Sequence, residues 1–429
     1  MGHFRLLVIG NGVSAYGSYL NMVALNVFIY HVTGSALTAG LFMAVRLLTN
    51  VAAGLISGRL VSRYDRKRLM VGADLTQALA LLLLLIAPGG ARVALLFALA
   101  VVTGACSTLS QVALRSSVPE IVGAGHRARA NGLLVTGRSL AMIAGFASSG
   151  VVVARFGYST AFALDAATFV VSAGILFLLP VRTRAAAAEG GDGADEGAGP
   201  SAYRALLRTA PLLAVMVAVR AVDGLGSSSH NVALPIYSDS LDPAHPATFV
   251  SQFWATWALG SIVAQQLCGR LMNKSGRTPG ERAFAVGSCV MSAAFILVFT
   301  GLPTVPAVAA ALVAGMADGF TEIVYVSRLQ AAPDEQRGRL FGLSASAENT
   351  GFGLGMIVSA ALLDHFAPLP VVAFFHGLAI VLCAALLAVL FRRGGTYARR
   401  QAGQPAGEPA QDTGGAPGRE APTAEGHST

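Results

Sequence analysis

Eight ionisable side chains lie inside otherwise apolar stretches: Arg46, Arg138, Asp165, Arg220, Asp223, Asp318, Glu322 and Glu348. A charge in a lipid-facing segment is costly, so each is a functional candidate by default. Asp318 and Glu322 are four residues apart, which puts both carboxylates on one face of a helix. Arg220 and Asp223 are three apart, a spacing that allows an ion pair along the helix. Carboxylates brought together repel, and the repulsion is relieved when a proton or a cationic ligand joins them. That is the chemistry of a proton-coupled or cation-binding site. Asp165, flanked by Phe162 and Phe169, reads instead as a structural hydrogen-bond partner for a neighbouring helix. No nucleophile–base pair or metal-ligand spacing accompanies these residues, so no enzyme activity, metal or cofactor is expected. Leu7–Gly12 superficially resembles a dinucleotide loop, but no acidic residue follows about 20 positions on. There is no P-loop either, which argues against an ATP-driven pump.

The elements that position these charges are membrane spans. The chain has 429 residues, 54% hydrophobic and 12% charged. A soluble domain carries about 25% charged residues, so there is too little charge here to solvate a globular surface. Reading for roughly 20 apolar residues per crossing gives twelve spans. They fall near 5–30, 36–57, 71–88, 92–114, 129–154 and 159–180, then 209–235, 247–268, 283–301, 304–327, 340–363 and 369–391. Arg5 leads into a span too long for a signal-peptide core. The expected class is therefore an all-α polytopic membrane protein.

Basic residues occupy alternate loops. Arg59, Arg63, Arg66, Lys67 and Arg68 share one side with Arg127, Arg129, Arg270, Lys274, Arg277, Arg282, Arg337 and Arg339. The opposite loops hold only Arg92 and Arg155. By the positive-inside rule the first set is cytoplasmic and both termini are inside, in the cytoplasmic membrane. The net charge of +8 is thus spread over loops and does not imply nucleic acid. Cys106, Cys268, Cys289 and Cys383 lie in or at the ends of apolar runs and read as buried thiols.

The chain also repeats itself. Gly58-Arg59-Leu60 returns as Gly269-Arg270-Leu271, and His126-Arg127-Ala128-Arg129 aligns with Gln336-Arg337-Gly338-Arg339 at nearly the same offset. This divides the chain into a six-helix half at 1–181, a flexible cytoplasmic linker at 182–208, a second six-helix half at 209–391 and a disordered cytoplasmic tail at 392–429. Duplicated membrane halves are the usual sign of a secondary transporter with its site at the repeat interface. In the alignment Arg46 meets Trp257, and Arg138 meets Glu348.

The loop Gly58-Arg59-Leu60-Val61-Ser62-Arg63-Tyr64-Asp65-Arg66-Lys67 resembles the signature loop of the major facilitator superfamily. The stretches Arg115–Glu120, Arg129–Leu133 and Arg138-Ser139-Leu140 are similar to the branch of enterobactin exporters and macrolide-efflux pumps. Two positions depart from the pattern. Ser62 stands where the family has an acid, with Asp65 nearby, and Gly145 is followed by Phe146 in place of proline.

The resemblance implies that helices one, four, seven and ten line a central cavity, which would hold Asp223, Asp318 and Glu322. Asn21 and Gln111 join them as cavity candidates, with Ser228, His230, Asn231 and Tyr325. It implies that helix two packs on eleven and five on eight. An Arg46–Glu348 ion pair across the halves is then expected, with Arg138 over the face of Trp257 as its counterpart. The cytoplasmic gate loops would use Gly58, Asp65, Arg66 and Lys67, then Gly269, Gly276 and Arg277. The basic cluster can also meet the negative ends of neighbouring helices. The expected function is proton-coupled efflux of an amphiphilic small molecule, such as an antibiotic, siderophore or other secondary metabolite, by a monomer in the bilayer. An importer or uniporter of a nutrient is the alternative, and a non-transporting receptor on the same scaffold a further one.

Overall fold

The structure is a computed structural model and describes residues 2–122, 127–179, 211–275, 279–331 and 334–402. Among them the regular elements are helices: α1 (Gly2–Thr33), α2 (Ala36–Arg63), α3 (Arg66–Leu85) and α4 (Arg92–Val122). The next run, Arg127–Leu178, breaks at Gly157, whose φ of 79° and ψ of 171° leave the helical region. A side chain there would be strained, so glycine makes the turn. We label the two arms α5 (127–156) and α6 (158–178). The second half contains α7 (Pro211–Leu241), α8 (Pro246–Ser275), α9 (Glu281–Val298), α10 (Thr304–Gln330), α11 (Asp334–Leu363) and α12 (Pro368–Ala402). The expected linker, 182–208, lies outside the described residues. The expected tail begins at 392, but α12 continues as helix to Ala402. Arginines such as Arg392 and Arg393 mark where an apolar span ends, not where a helix must stop.

The pairing repeats between halves. In the first, α1 packs on the 127–178 run, α2 on α4, and α3 on α4; in the second, α7 packs on α11, α8 on α10, and α9 on α10. Across the halves α2 meets α11 and the 127–178 run meets α8, the pairing that the resemblance implies. Asp364 at the end of α11 accepts from the backbone N–H of Ala36 at 3.1 Å, and so holds the start of α2. Ser251 of α8 donates to the Phe146 carbonyl of α5.

Among the described residues eight stretches are long and apolar enough to cross a membrane, and one of them, 132–178, is long enough for two crossings. α1, α8 and α11 are absent from that set because they carry polar side chains that turn inward, such as Asn21 on α1, Ser251 and Ser261 on α8 and Ser344 on α11. Large apolar side chains are exposed on the outer surface, among them Ile86, Phe177, Leu178 and Val305. In water this would be an aggregation-prone surface; in a bilayer it is the lipid contact.

Candidate functional site

Arg220 sits well inside α7 with its side chain only 12% exposed. Its guanidinium reaches three carboxylates on three helices. Nη2 donates to Glu322 Oε2 of α10 at 2.5 Å, Nη1 to Asp223 Oδ2 of α7 at 3.3 Å, and Nε to Glu348 Oε1 of α11 at 3.4 Å. The planar fork suits this branching, which a lysine ammonium could not reproduce. The guanidinium carbon also lies 5.3 Å from the ring centre of Tyr325, a cation–π distance. Tyr325 Oη donates to Ser344 Oγ at 2.7 Å, and Ser344 Oγ donates to Glu348 Oε1 at 3.0 Å. Asp318, one turn before Glu322, is half-buried and interacts electrostatically with Arg220.

Four carboxylates therefore surround one permanent cation. If all were ionised, the cluster would hold three uncompensated negative charges in a poorly solvated place. At an effective dielectric of about 20, two like charges 4 Å apart repel by about 4 kcal/mol. The arrangement is relieved by protons or by a cationic group. Glu322 and Glu348, with side chains 42% and 35% exposed, face the wetter side, whereas Asp223 at 9% lies on the dry side. Asp223 Oδ1 is buried without a hydrogen-bond partner.

Two sequence expectations are corrected here. Arg46 does not meet Glu348, which is held by Arg220 and Ser344. Arg46 lies with Asn21, Gln111, Asp74 and Asp165 on the wall of a cavity of about 570 Å³ formed by α1 to α6, and Asp165 is its electrostatic neighbour. Counting residues along a span gives depth, not the direction a side chain faces, and α7 presents its own cation to Glu348 from nearby. Arg138 does not lie over Trp257. Its Nε donates to Tyr19 Oη at 2.9 Å, with the guanidinium 6.0 Å from the Tyr19 ring centre. Trp257 packs edge-on against Trp254 at 5.3 Å. The charge swap Arg46→Glu with Glu348→Arg is therefore expected to transport no better than the poorer single reversal in a dye-efflux assay.

Asp165 accepts from Asn21 Nδ2 of α1 at 2.6 Å, the neighbouring-helix bond read from its apolar flanks. In the expected gate loop, Asp65 is the N-cap of α3, its side chain accepting from the Arg68 N–H at 3.0 Å. Arg66 donates to the Ser116 carbonyl of α4 at 2.7 Å. Lys67 Nζ donates to the Phe177 and Leu179 carbonyls at 2.8 and 2.6 Å. A cation on the last carbonyls of α6 complements the negative end of that helix. Gly58 falls within α2, and a side-chain carbon added at Gly269 would meet nothing within 4 Å. Gly276 and Arg277 lie outside the described residues. Sequence reasoning missed Ser344 as the link between Tyr325 and Glu348, since a lone serine on a small-residue face carries no signal of its own.

Two matched sets of lipid-facing helices around a cluster of charges define a multi-pass membrane protein. The sequence matches the Major Facilitator Superfamily over residues 7–330 and again over 221–425, and the chain belongs to that family. No curated protein matches it. Among solved structures it is similar to the nucleoside transporter NupG, with 15% identity, 91% of this chain and 99% of that one covered, and a TM-score of 0.72. It is also similar to the peptide transporter POT in complex with sulfate, with 16% identity, 91% and 94% covered, and a TM-score of 0.69. At these identities the likeness concerns the fold.

Proposed function

We propose that the protein is a twelve-span, proton-coupled exporter of an amphiphilic small molecule, with both termini in the cytoplasm. The observation that carries the coupling is Arg220 among Asp223, Asp318, Glu322 and Glu348. A cluster with more carboxylates than cations takes up a proton when it faces the outside and gives one up when it faces the cytoplasm, where substrate loads. Energy from the proton gradient then drives the substrate outward as the halves 1–181 and 209–391 rock about the site. The cavity of about 570 Å³ in the first half mixes Leu7, Met22, Leu25 and Phe169 with Asn11, Asn21 and Gln111. Its volume and mixed wall suit a drug-sized ligand with both apolar and hydrogen-bonding surface. Efflux as the direction rests on the loop and helix-five residues that resemble exporter sequences.

Cells expressing the protein are expected to accumulate less of a fluorescent lipophilic cation such as ethidium than cells carrying Asp223→Asn. A protonophore should erase the difference. Uptake of the dye into inverted vesicles on acidifying their lumen fixes the direction. Uptake into right-side-out vesicles instead identifies an importer.

A further inference from the structure

One seam of the second half holds polar groups that the carboxylate cluster does not use. His230 of α7 and His376 of α12 are buried at 2% and 0% exposure, with His230 Nδ1 and His376 Nε2 3.1 Å apart. The rings stack at 5.3 Å, and both stack on Phe295 of α9. The second nitrogen of His376, Nδ1, is buried without a partner. So is Oδ1 of Asp223.

These two orphaned atoms share one seam. Asp223, Gly226 and His230 fall at i, i+3 and i+7 of α7, along one stripe of the helix. A side-chain carbon placed on Gly226 would stand 2.9 Å from His376 Nδ1. That nitrogen therefore rests against the α7 backbone one turn, about 4.5 Å of rise, from Asp223. α12 continues past the carboxylate as well, because its Cys383, seven residues after His376, interacts electrostatically with Asp223. The other groups around Asp223 are Arg220 on its own helix, Asp318 and Glu322 on α10 and Glu348 on α11. Cys289 of α9 lies against Cys383. A buried donor and acceptor left unpaired one turn apart are what a single bridging water satisfies. The missing side chain at 226 is what lets the His376 ring lie this close to α7.

We infer that His230 and His376 form a proton relay that connects Asp223 with the side of the membrane carrying the Leu241–Pro246 loop. The inference rests on the reading of Asp223 as a coupling carboxylate. A proton from water binds His230 Nε2 when that side is open. The N–H bond at His230 Nδ1 breaks as one forms at His376 Nε2. The proton on His376 Nδ1 then leaves through the bridging water, and an O–H bond forms on Asp223 Oδ1. One proton enters and one arrives, while each ring changes tautomer and ends neutral. Gly226 is a positioning residue, which lets the His376 ring lie against α7 with Nδ1 one turn from Asp223.

The test needs no knowledge of the substrate. The full chain is placed in oriented proteoliposomes, and protons are released by light from a membrane-impermeant caged acid on one side at a time. Time-resolved infrared follows the carboxylic-acid C=O band that Asp223→Asn removes. With acid on the Leu241–Pro246 side, His376→Gln should slow the growth of this band by about 100-fold, the usual worth of a positioned proton-transfer group. Gly226→Ala, which keeps every titratable group, should slow it in the same direction. With acid on the opposite side, both variants should match the wild type. An unchanged rate in either variant overturns the relay. Equal slowing from both sides marks a packing defect and overturns it too. If His376→Gln does not fold, the rate in Gly226→Ala decides. A wild type with no Asp223 band at all refutes the coupling reading and the relay with it, and it is distinguishable from a band with unaltered kinetics.

Discussion

Arg220→Gln is expected to abolish coupled transport and to destabilise the protein by about 3–5 kcal/mol, the cost of removing one partner from a buried ion pair. The side chain is 12% exposed and bonds to Asp223, Glu322 and Glu348 together. Without it Asp223 loses the bond to Oδ2, while Oδ1 already has none. Glu348 keeps only Ser344, and the Tyr325 ring loses its cation. The four carboxylates are left facing one another with nothing positive between them. Arg220→Lys keeps the charge, but its three donors share one nitrogen and cannot span the carboxylates that Nε, Nη1 and Nη2 reach separately, so it should recover part of the stability and little transport. Adding Glu348→Gln to Arg220→Gln removes one of the stranded charges. The double variant should regain stability without regaining transport. Unfolding midpoints in detergent measure the first effect, and protonophore-sensitive dye efflux the second. A double variant no more stable than Arg220→Gln alone would contradict the view that charge imbalance dominates this site.

Much of this site is legible in the sequence because charge in an apolar run is conspicuous. Asp318 and Glu322 follow from helical spacing, and Arg220 with Asp223 from adjacency on one span. The structure brings these together with Glu348, whose cation is Arg220 and not the expected Arg46. Depth along a span comes from counting residues, and the count assigns Arg46 and Glu348 similar expected levels. The face each presents depends on how helices rotate about their axes, and that is set by packing contacts that no single span encodes. The gate loop shows another limit. Asp65 before Arg66-Lys67-Arg68 fits a switch, yet the same order is a helix start signal, and in the structure Asp65 caps α3. The helices that a hydropathy reading of the structure leaves out, α1, α8 and α11, are those whose polar side chains face other protein. His376 carries no signal in the sequence, because a lone imidazole in the last span is ordinary. Only the packing of α12 on α7 reveals His230 as its partner.

Gly351→Val is expected to abolish transport and to cost about 1–3 kcal/mol of stability or more through overpacking, although it touches no charge. α7 and α11 cross with their backbones in contact. A carbon added to Gly351 would collide with the Ala221 carbonyl, and one added to Gly224 would stand 2.9 Å from the Glu348 carbonyl. A carbon at Gly355 would strike Ser228 Oγ. The small residues on each helix thus seat the other, in the manner of close-packed membrane helices. Carbonyls cannot turn aside as a flexible side chain can, so valine at 351 must push the helices apart. The displacement falls one turn from Glu348 and beside Arg220, where the Nε–Oε1 separation is already 3.4 Å. Gly353→Val supplies the contrast. Its nearest neighbour is Leu47 Cδ2 at 3.4 Å, the far end of a side chain that can move. It should change stability by less than about 1.5 kcal/mol and retain efflux. Thermal unfolding and dye efflux of the two variants, compared side by side, decide the matter. Equal tolerance at both positions would mean that the close approach of α7 and α11 is not what keeps Glu348 on Arg220.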